Sequence, residues 1–115
     1  MPEALEYESE DGRSPFSEWY WRLEARAAAR VRRTIIKLEA GLRPDVKGVG
    51  EGVFESRINF GPGYRVYFGV DGTTLIVILG GGDKSSQDGD IAEAKRRWAD
   101  YKARKRRTQH HGAHP

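Results

Sequence analysis

The sequence contains no cysteine, which excludes disulfide bridges, thiolate metal ligands and a cysteine nucleophile. It also lacks any apolar run near the length that crosses a membrane. The chain begins Met-Pro-Glu-Ala-Leu-Glu-Tyr-Glu rather than with a charged and then apolar leader. These absences predict a cytoplasmic protein that makes no membrane contact.

Ligand patterns for metals and nucleotides are missing as well. No group of His, Asp and Glu residues has the spacing of a metal site, so we expect no metal and no cofactor. The three histidines, His110, His111 and His114, lie at the extreme C-terminus, where they are poorly placed for catalysis. Residues 80–84 resemble a phosphate-binding loop, but the spacing Gly-x-x-x-x-Gly-Lys-Ser/Thr is absent, which excludes that class of nucleotide triphosphatase.

Charge is abundant and is unevenly distributed along the chain. The net charge is +3, yet the first eleven residues carry five acidic side chains and no basic one. Residues 95–107 instead contain eight Lys or Arg and the single acidic residue Asp100. A basic surface of this density attracts polyphosphate through counterion release, so RNA, DNA or a ribosome is the predicted partner. The alternative is an ordinary solvated helix surface.

The length of 115 residues suits a single domain. We assign residues 1–107 to this domain and expect residues 108–115 to form a disordered tail. Ser14 and Pro15 mark a helix start. Ser caps free amide groups, and Pro suits the first helical position because the amide N–H that it lacks would have no partner within the helix. The spacing that follows predicts a helical hairpin whose outer surface is basic, with Arg22, Arg26, Arg30, Arg33 and Lys37.

The apolar periodicity changes from helical to alternating after a loop predicted at residues 42–52. Residues 53–59, 64–70 and 73–79 are rich in β-branched and aromatic side chains, and the short breaks between them are typical of antiparallel hairpins. Near the N-terminus, Leu5 alternates with glutamates as a short strand or a frayed end.

The C-terminal segment returns to helical periodicity. Ile91, Ala94, Trp98 and Tyr101 fall on one face, with basic residues elsewhere. Together these patterns predict an α+β fold, in which an N-terminal helical hairpin packs on an antiparallel β-sheet of three to four strands and a C-terminal helix follows.

Alternation within the strands predicts which side chains share a face. Placing the apolar set Phe54, Ile58, Tyr64, Val66 and Phe68 on the buried face puts Arg57, Arg65 and Tyr67 together on an opposite, open face. This grouping depends on the register of the hairpin, because a slip of one residue would separate them. Lys84 follows three glycines that would let the backbone approach a ligand closely.

Two arginines that face each other across a sheet repel unless an anion lies between them. A phosphate is one candidate for this anion, and a salt bridge from Glu55 or Asp83 is an equally weighted structural alternative. Tyr64 and Tyr67 also have a structural interpretation, because tyrosines in sheets are more often packing residues than catalysts.

Three stretches carry a resemblance to a known family. They read Val53-Phe-Glu-Ser-Arg-Ile58, Gly61-Pro-Gly-Tyr-Arg-Val-Tyr-Phe68 and Leu79-Gly-Gly-Gly-Asp-Lys-Ser-Ser-Gln87, the last followed by Asp90-Ile91. The hairpin with Phe16 and Trp19, and the segment Val46-Lys47-Gly-Val-Gly50, are similar too. Over roughly residues 15–100 the chain resembles the HigB-like "addiction module killer protein" branch of the RelE/ParE toxin superfamily.

The resemblance implies a toxin of a type II toxin–antitoxin system, with a curved antiparallel sheet. A cognate antitoxin, often a helix-turn-helix protein, would neutralise it. Many members of this superfamily cleave mRNA on the ribosome without a metal, by attack of the 2′-hydroxyl on the adjacent phosphate. Such chemistry needs a proton acceptor, cations around the pentacovalent phosphate and a proton donor for the leaving oxygen.

The resemblance also implies roles for individual residues. Arg65 matches the arginine of the family's Tyr-Arg strand motif and would stabilise the transition state. Arg57 and Lys47 would hold substrate phosphate, and Lys84 lies near the cationic residue that follows the last strand.

The proton acceptor differs from relatives that use a histidine near the end of the sheet. Because no histidine lies in the core, the acceptor would be Tyr64, Tyr67 or Lys84, with its pKa lowered by the cationic pocket. The predicted surface for RNA and the ribosome comprises Arg30, Arg33, Lys95, Arg96 and Lys102.

Two other functions remain open from the sequence. The chain is alternatively a non-enzymatic inhibitor of DNA gyrase, as in the ParE branch, or an inactive member that retains antitoxin binding. Arg57, Arg65 and Lys84 favour the nuclease, because a gyrase inhibitor needs no phosphate-sized cationic pocket.

Overall fold

The computed structural model describes residues 2–112, with side chains described through residue 108. Within this range the chain forms five strands, three α-helices and one short 3₁₀-helix. In chain order these are β1 (Glu3–Glu6), α1 (Pro15–Tyr20), α2 (Ala25–Glu39), β2 (Val46–Gly50), β3 (Val53–Ile58), β4 (Tyr64–Asp71), β5 (Leu75–Asp83), η1 (Lys84–Ser86) and α3 (Gln87–Gly112).

The strands form a single mixed sheet in the order β1-β5-β4-β3-β2. Strands β2 to β5 are antiparallel neighbours, whereas β1 lies parallel to β5 at one edge. The predicted fold, an N-terminal helical hairpin on an antiparallel sheet of three to four strands, is therefore wrong. A strand precedes the helices, and the sheet has five strands. The parallel pairing of β1 with β5 joins distant parts of the chain.

Strand β2 lies inside the segment predicted as a loop. Glycines and Pro44 suggest irregular backbone there, but β2 pairs with β3 through Val46, Lys47 and Gly48 before a register shift toward Gly50. Turns flank it, since Asp45 and Glu51 have positive φ angles of 47° and 56°. Because β2 is a short edge strand with little burial, its sequence carries only a weak alternating pattern.

The helix start at Ser14 is confirmed. The Ser14 hydroxyl accepts a hydrogen bond from the Ser17 amide at 3.1 Å, and Pro15 is the first helical residue. Glu24 caps α2 in the same way, by accepting from the Ala27 amide at 2.9 Å. The two helices are thus separate, each with its own N-terminal cap, and together they connect β1 to β2.

Helices cover both faces of the sheet. On one face α1 and α2 pack through Phe16, Val31 and Leu38 against apolar strand residues that include Val66 and Phe68. On the other face α3 packs on a second cluster of Tyr7, Val53, Tyr67, Val77, Leu79, Ala94 and Trp98. The prediction of an open face around Tyr67 is therefore wrong, because α3 covers this part of the sheet.

The predicted apolar face of the last helix is confirmed. Ala94 and Trp98 are buried, and Ile91 and Tyr101 pack beside them. Gly69 makes room for the Trp98 ring, since an added Cβ would lie 2.6 Å from it. Helix α3 extends to Gly112 rather than ending at residue 107, and residues 113–115 of the predicted tail lie outside the described residues. None of the helices in residues 2–112 is long and apolar enough to cross a membrane.

Candidate functional site

The β3–β4 hairpin brings two predicted site residues together. Its register pairs Arg57 directly with Arg65, as the alternation of apolar side chains predicted. The turn contains Gly61 and Gly63, whose positive φ angles of 55° and 84° suit glycine. The backbone amide of Lys84 donates to the Gly63 carbonyl at 2.9 Å, so the residue after β5 is fixed beside this turn.

An open cleft of about 570 Å³ lies at this end of the hairpin. Four predicted site residues line it, namely Arg57, Tyr64, Arg65 and Lys84. Asp45, Asn59 and the Gly-Pro-Gly turn complete the wall. Three cationic side chains from β3, β4 and the segment after β5 therefore border one solvent-open space.

Arg57 is exposed and is held by the turn before β2. Its Nη2 atom lies 3.4 Å from Asp45 Oδ1, and its backbone amide donates to the Asp45 carbonyl at 3.1 Å. Asp45, rather than the predicted Glu55 or Asp83, is thus the carboxylate partner of Arg57. Because both side chains of this pair are solvent-exposed, a phosphate can replace the carboxylate at little cost.

Arg65 pairs with Glu55, a residue that the sequence suggested only as a structural alternative. Glu55 is 0% exposed and Arg65 is 8% exposed, and Arg65 Nε lies 3.5 Å from Glu55 Oε1. The ammonium group of Lys47 on β2 lies 4.0 Å from the same oxygen. The alternating pattern places Glu55 on this face, but no local signal in the sequence indicates that its carboxylate is fully buried.

Tyr67 does not suit the role of proton acceptor. Its side chain is fully buried, and its hydroxyl has no hydrogen-bond partner among the side chains that the structure describes. Burial raises the pKa of this hydroxyl far above its ordinary value, and the carboxylates of Glu55 and Asp90 raise it further against the opposing effect of Arg65. The prediction that a cationic pocket lowers the pKa of Tyr67 is therefore wrong.

Tyr64 occupies a different environment from Tyr67. It is partly buried, lines the cleft and packs edge-on against Trp19 with ring centroids 6.3 Å apart. An added Cβ at Gly61 would lie 3.6 Å from the Tyr64 ring, so the turn and this ring are in close contact. Tyr64 thus has both a packing role and access to the cleft.

The three glycines before Asp83 have a packing role that the sequence did not reveal. An added Cβ at Gly80 would lie 2.7 Å from Arg97, at Gly81 it would overlap the Trp19 ring, and at Gly82 it would overlap the Asp90 carboxylate. The glycines therefore accommodate large side chains of this chain from both faces of the sheet. The interpretation that they let the backbone approach a ligand is not supported.

One basic residue of α2, Arg30, lies beside the turn that borders the cleft. Arg30 and Arg33 are exposed, and the Arg30 guanidinium lies 4.8 Å from the centre of the Phe60 ring, next to the Gly-Pro-Gly turn. Within the part of the chain that the structure describes, no ion pair is formed by the basic residues of α2 and of the link before it, namely Arg22, Arg26, Arg30, Arg32, Arg33 and Lys37.

The basic residues of α3 lie on the opposite side of the sheet and interact within the chain. Lys95 Nζ lies 3.4 Å from Glu51, Arg96 Nη2 lies 2.5 Å from Glu93, and Lys102 Nζ lies 5.4 Å from the centre of the Trp98 ring. The five residues predicted as one RNA-binding surface are therefore divided between two faces of the molecule.

The sequence predicts neither a metal site nor a catalytic histidine. Among the side chains that the structure describes, no three His, Asp or Glu residues form a group that could hold a metal ion. The side chains of His110 and His111, and all of His114, lie outside the described part of the chain.

Comparison with known proteins adds one relationship. An "uncharacterized protein" of Haemophilus influenzae is 44% identical over 81 residues, which cover 70% of this chain and 82% of that protein. The chain belongs to the same family as this Haemophilus protein. No family model matches the chain.

The arrangement suits the binding of a phosphodiester. Arg57, Arg65 and Lys84 supply hydrogen-bond donors and positive charge on three sides of an open cleft. Such donors also stabilise the extra negative charge of a pentacovalent phosphate, which is the largest contribution a protein makes to this type of reaction. Tyr64 adds a hydroxyl at the same space.

Proposed function

We propose that this protein is the toxin of a type II toxin–antitoxin system, of the HigB-like branch of the RelE/ParE superfamily. In this proposal it is a ribosome-dependent, metal-independent mRNA endonuclease that inhibits translation. The observation that carries the proposal is the convergence of Arg57, Arg65 and Lys84 on one open cleft. The resemblance of the sequence supplies the toxin class, and the cationic cleft supports RNA as the substrate.

In the proposed reaction the 2′-hydroxyl attacks the adjacent phosphate, which leaves a cyclic phosphate and a free 5′-hydroxyl. Arg65 and Arg57 hold the phosphate oxygens and stabilise their added charge. Tyr64 and Lys84 remain as candidates for moving the protons, because both line the cleft. Tyr67 is removed from this role by its burial and raised pKa.

The proposed partners are mRNA on the ribosome and a cognate antitoxin, which we expect to be a helix-turn-helix protein. The exposed basic residues of α2 support an extended contact with RNA, since Arg30 lies beside the turn that borders the cleft and Arg33 follows about one helical turn along α2. A protein that acts on translating ribosomes works in the cytoplasm, which is the proposed location.

The test is to induce the protein without an antitoxin and to map mRNA ends. We expect growth arrest and cuts within codons, and we expect Arg65→Ala to abolish both, because it removes the innermost cation of the cleft. The matched control is Arg96→Ala, an exposed arginine on α3 that does not line the cleft.

Two outcomes would replace the proposal. Growth arrest with intact mRNA and trapped gyrase–DNA complexes would identify a gyrase inhibitor. Continued growth at full expression of folded protein would identify an inactive family member.

A further inference from the structure

The Glu55 carboxylate connects three separate elements of the fold. Its Oε1 atom lies 3.5 Å from Arg65 Nε on β4 and 4.0 Å from Lys47 Nζ on β2. Its Oε2 atom accepts a hydrogen bond from Gln87 Nε2 at 3.1 Å, at the start of α3. Gln87 directly follows the short helix that begins with Lys84. One buried carboxylate on β3, the strand of Arg57, therefore contacts Lys47 and Arg65 and, through Gln87, adjoins the segment of Lys84.

Stability alone does not account for a carboxylate at this position. Removing an ionised group from water is costly, and a buried ion pair can often be replaced by apolar side chains without loss of stability. Glu55 is completely buried, and its neighbours on the same face include the apolar ring of Tyr67. An apolar residue here would leave the buried Arg65 without a carboxylate, so the charge of Glu55 serves this arginine rather than the packing of the face.

The geometry of the pair indicates what this use is. The Nε atom of Arg65 is inaccessible and lies 3.5 Å from Glu55 Oε1, in an ion pair without a hydrogen bond, while Arg65 also lines the cleft. A guanidinium group is planar, so holding its Nε edge also fixes the direction of the two terminal nitrogens. The terminal nitrogens form the edge that binds phosphate in a two-point contact.

We propose that Glu55 is a positioning residue that fixes the guanidinium of Arg65, with Lys47 tethered beside it, so that the terminal nitrogens of Arg65 point to a phosphate in the cleft. The role in RNA cleavage rests on the proposed function, whereas the positioning of Arg65 does not. Glu55 itself is too deeply buried to touch the substrate.

The first experiment measures Arg65 directly by NMR in the full-length protein. We compare the hydrogen exchange of the Arg65 Nε–H group, and its shift on titration with inorganic phosphate, in wild type and in Glu55→Gln. We expect exchange to be at least about tenfold faster in Glu55→Gln, because the negative charge that pairs with the guanidinium is lost, and we expect the response to phosphate to weaken. Unchanged exchange and an unchanged response would overturn the positioning role.

The second experiment separates positioning from simple electrostatics by its kinetics. On ribosome-bound mRNA, Glu55→Gln should lower kcat by about tenfold to a hundredfold, the range expected from a misplaced catalytic group. KM should stay the same or fall, because removing a negative charge beside two cations does not weaken the attraction of RNA. A rise in KM with unchanged kcat would contradict the proposal.

Three further variants serve as a substitute, an additivity test and a control for Glu55→Gln. Gln87→Ala removes a hydrogen-bond donor to the Glu55 carboxylate without removing charge, and we expect it to lower kcat by less than Glu55→Gln does. It replaces Glu55→Gln as the test if that variant does not fold. The double variant Glu55→Gln, Arg65→Lys should be no slower than Arg65→Lys alone, because Glu55 acts through Arg65. Glu93→Gln removes a carboxylate that pairs with arginines on α3 and should change neither measurement. If wild type cleaves no RNA, the proposed function fails while the NMR comparison still decides the positioning role.

Discussion

Helices α2 and α3 both carry many Lys and Arg residues, but they use this charge in different ways. On α3, Lys95, Arg96, Arg97, Arg104 and Lys105 each lie within 4.0 Å of a carboxylate of the same chain. On α2 the basic residues extend into solvent, and among residues 2–108 they have no such carboxylate. The charge of α2 is available to a ligand, whereas much of the charge of α3 is already neutralised.

The difference shows what a count of charges cannot reveal. The sequence directs attention to residues 95–107 because they are the densest basic segment. The fold brings Asp71 from the end of β4 and Glu51 from the turn between β2 and β3 to that segment, and this neutralises charges that look free in the sequence. A basic surface therefore has to be judged by the carboxylates that the fold places beside it.

The largest expected effect is on the free energy of unfolding, and it differs between a buried tryptophan on α3 and an exposed tryptophan near α2. Trp98→Ala on α3 should lower the free energy of unfolding by about 3–5 kcal/mol, since the side chain is 5% exposed and packs on Gly69. Trp21→Ala, just before α2, should change it by less than about 0.5 kcal/mol, since Trp21 is 78% exposed. Urea unfolding measures both, and a similar loss for the two variants would remove this part of the comparison.

The second prediction concerns RNA binding. The pair Arg30→Ala, Arg33→Ala should reduce the slope of log affinity against log salt for single-stranded RNA by about 1.4, if each arginine contacts one phosphate. The pair Lys95→Ala, Arg96→Ala removes the same charge from α3, where each residue has its own carboxylate, and should change the slope by much less. Equal changes for the two pairs would show that the pairing of charges on α3 does not matter.

The third prediction concerns the carboxylate that binds the far end of α3. Asp71 accepts hydrogen bonds from Lys105 at 2.6 Å and from Tyr101 at 2.7 Å, and these bonds hold its pKa below the usual value. Asp71→Asn should therefore lower the free energy of unfolding by about 1 kcal/mol at neutral pH. This value is smaller than for a buried ion pair because Lys105 is partly exposed.

The pH dependence of this effect follows from the direction of the pKa shift. Because the pKa of Asp71 is lower in the folded state, its stabilisation is present above the unfolded pKa of about 4 and is lost as pH falls through the folded value. Unfolding curves between neutral and acid pH should converge for wild type and Asp71→Asn. A difference in stability between the two proteins that persists at low pH would show that Asp71 stabilises the fold through packing rather than through its charge.

Some of the fold and site was predictable because the signal was local. The cap at Ser14 and the apolar face of α3 depend on residues a few positions apart, and both are confirmed. The pairing of Arg57 with Arg65 also followed from alternation across one short turn. Local periodicity was sufficient because each of these features depends on one element or one hairpin.

Other features depend on contacts between distant residues and were not predictable in the same way. The parallel pairing of β1 with β5 joins residues that are about seventy positions apart in the chain. Burial of Glu55 depends on α3 crossing the sheet and bringing Gln87 to it. The packing role of Gly80 and Gly82 depends on Arg97 and Asp90 of the same helix. No short sequence window contains both partners of any of these contacts.

The central claim is that RNA binds at the cleft and along α2, and not along α3. The most direct test is to titrate isotope-labelled protein with a short single-stranded RNA and to map the NMR shifts. The account predicts the largest shifts at Arg57, Arg65 and Lys84, with further shifts at Arg30 and Arg33. Shifts confined to Lys95, Arg96 and Lys102, with the cleft unchanged, would contradict it.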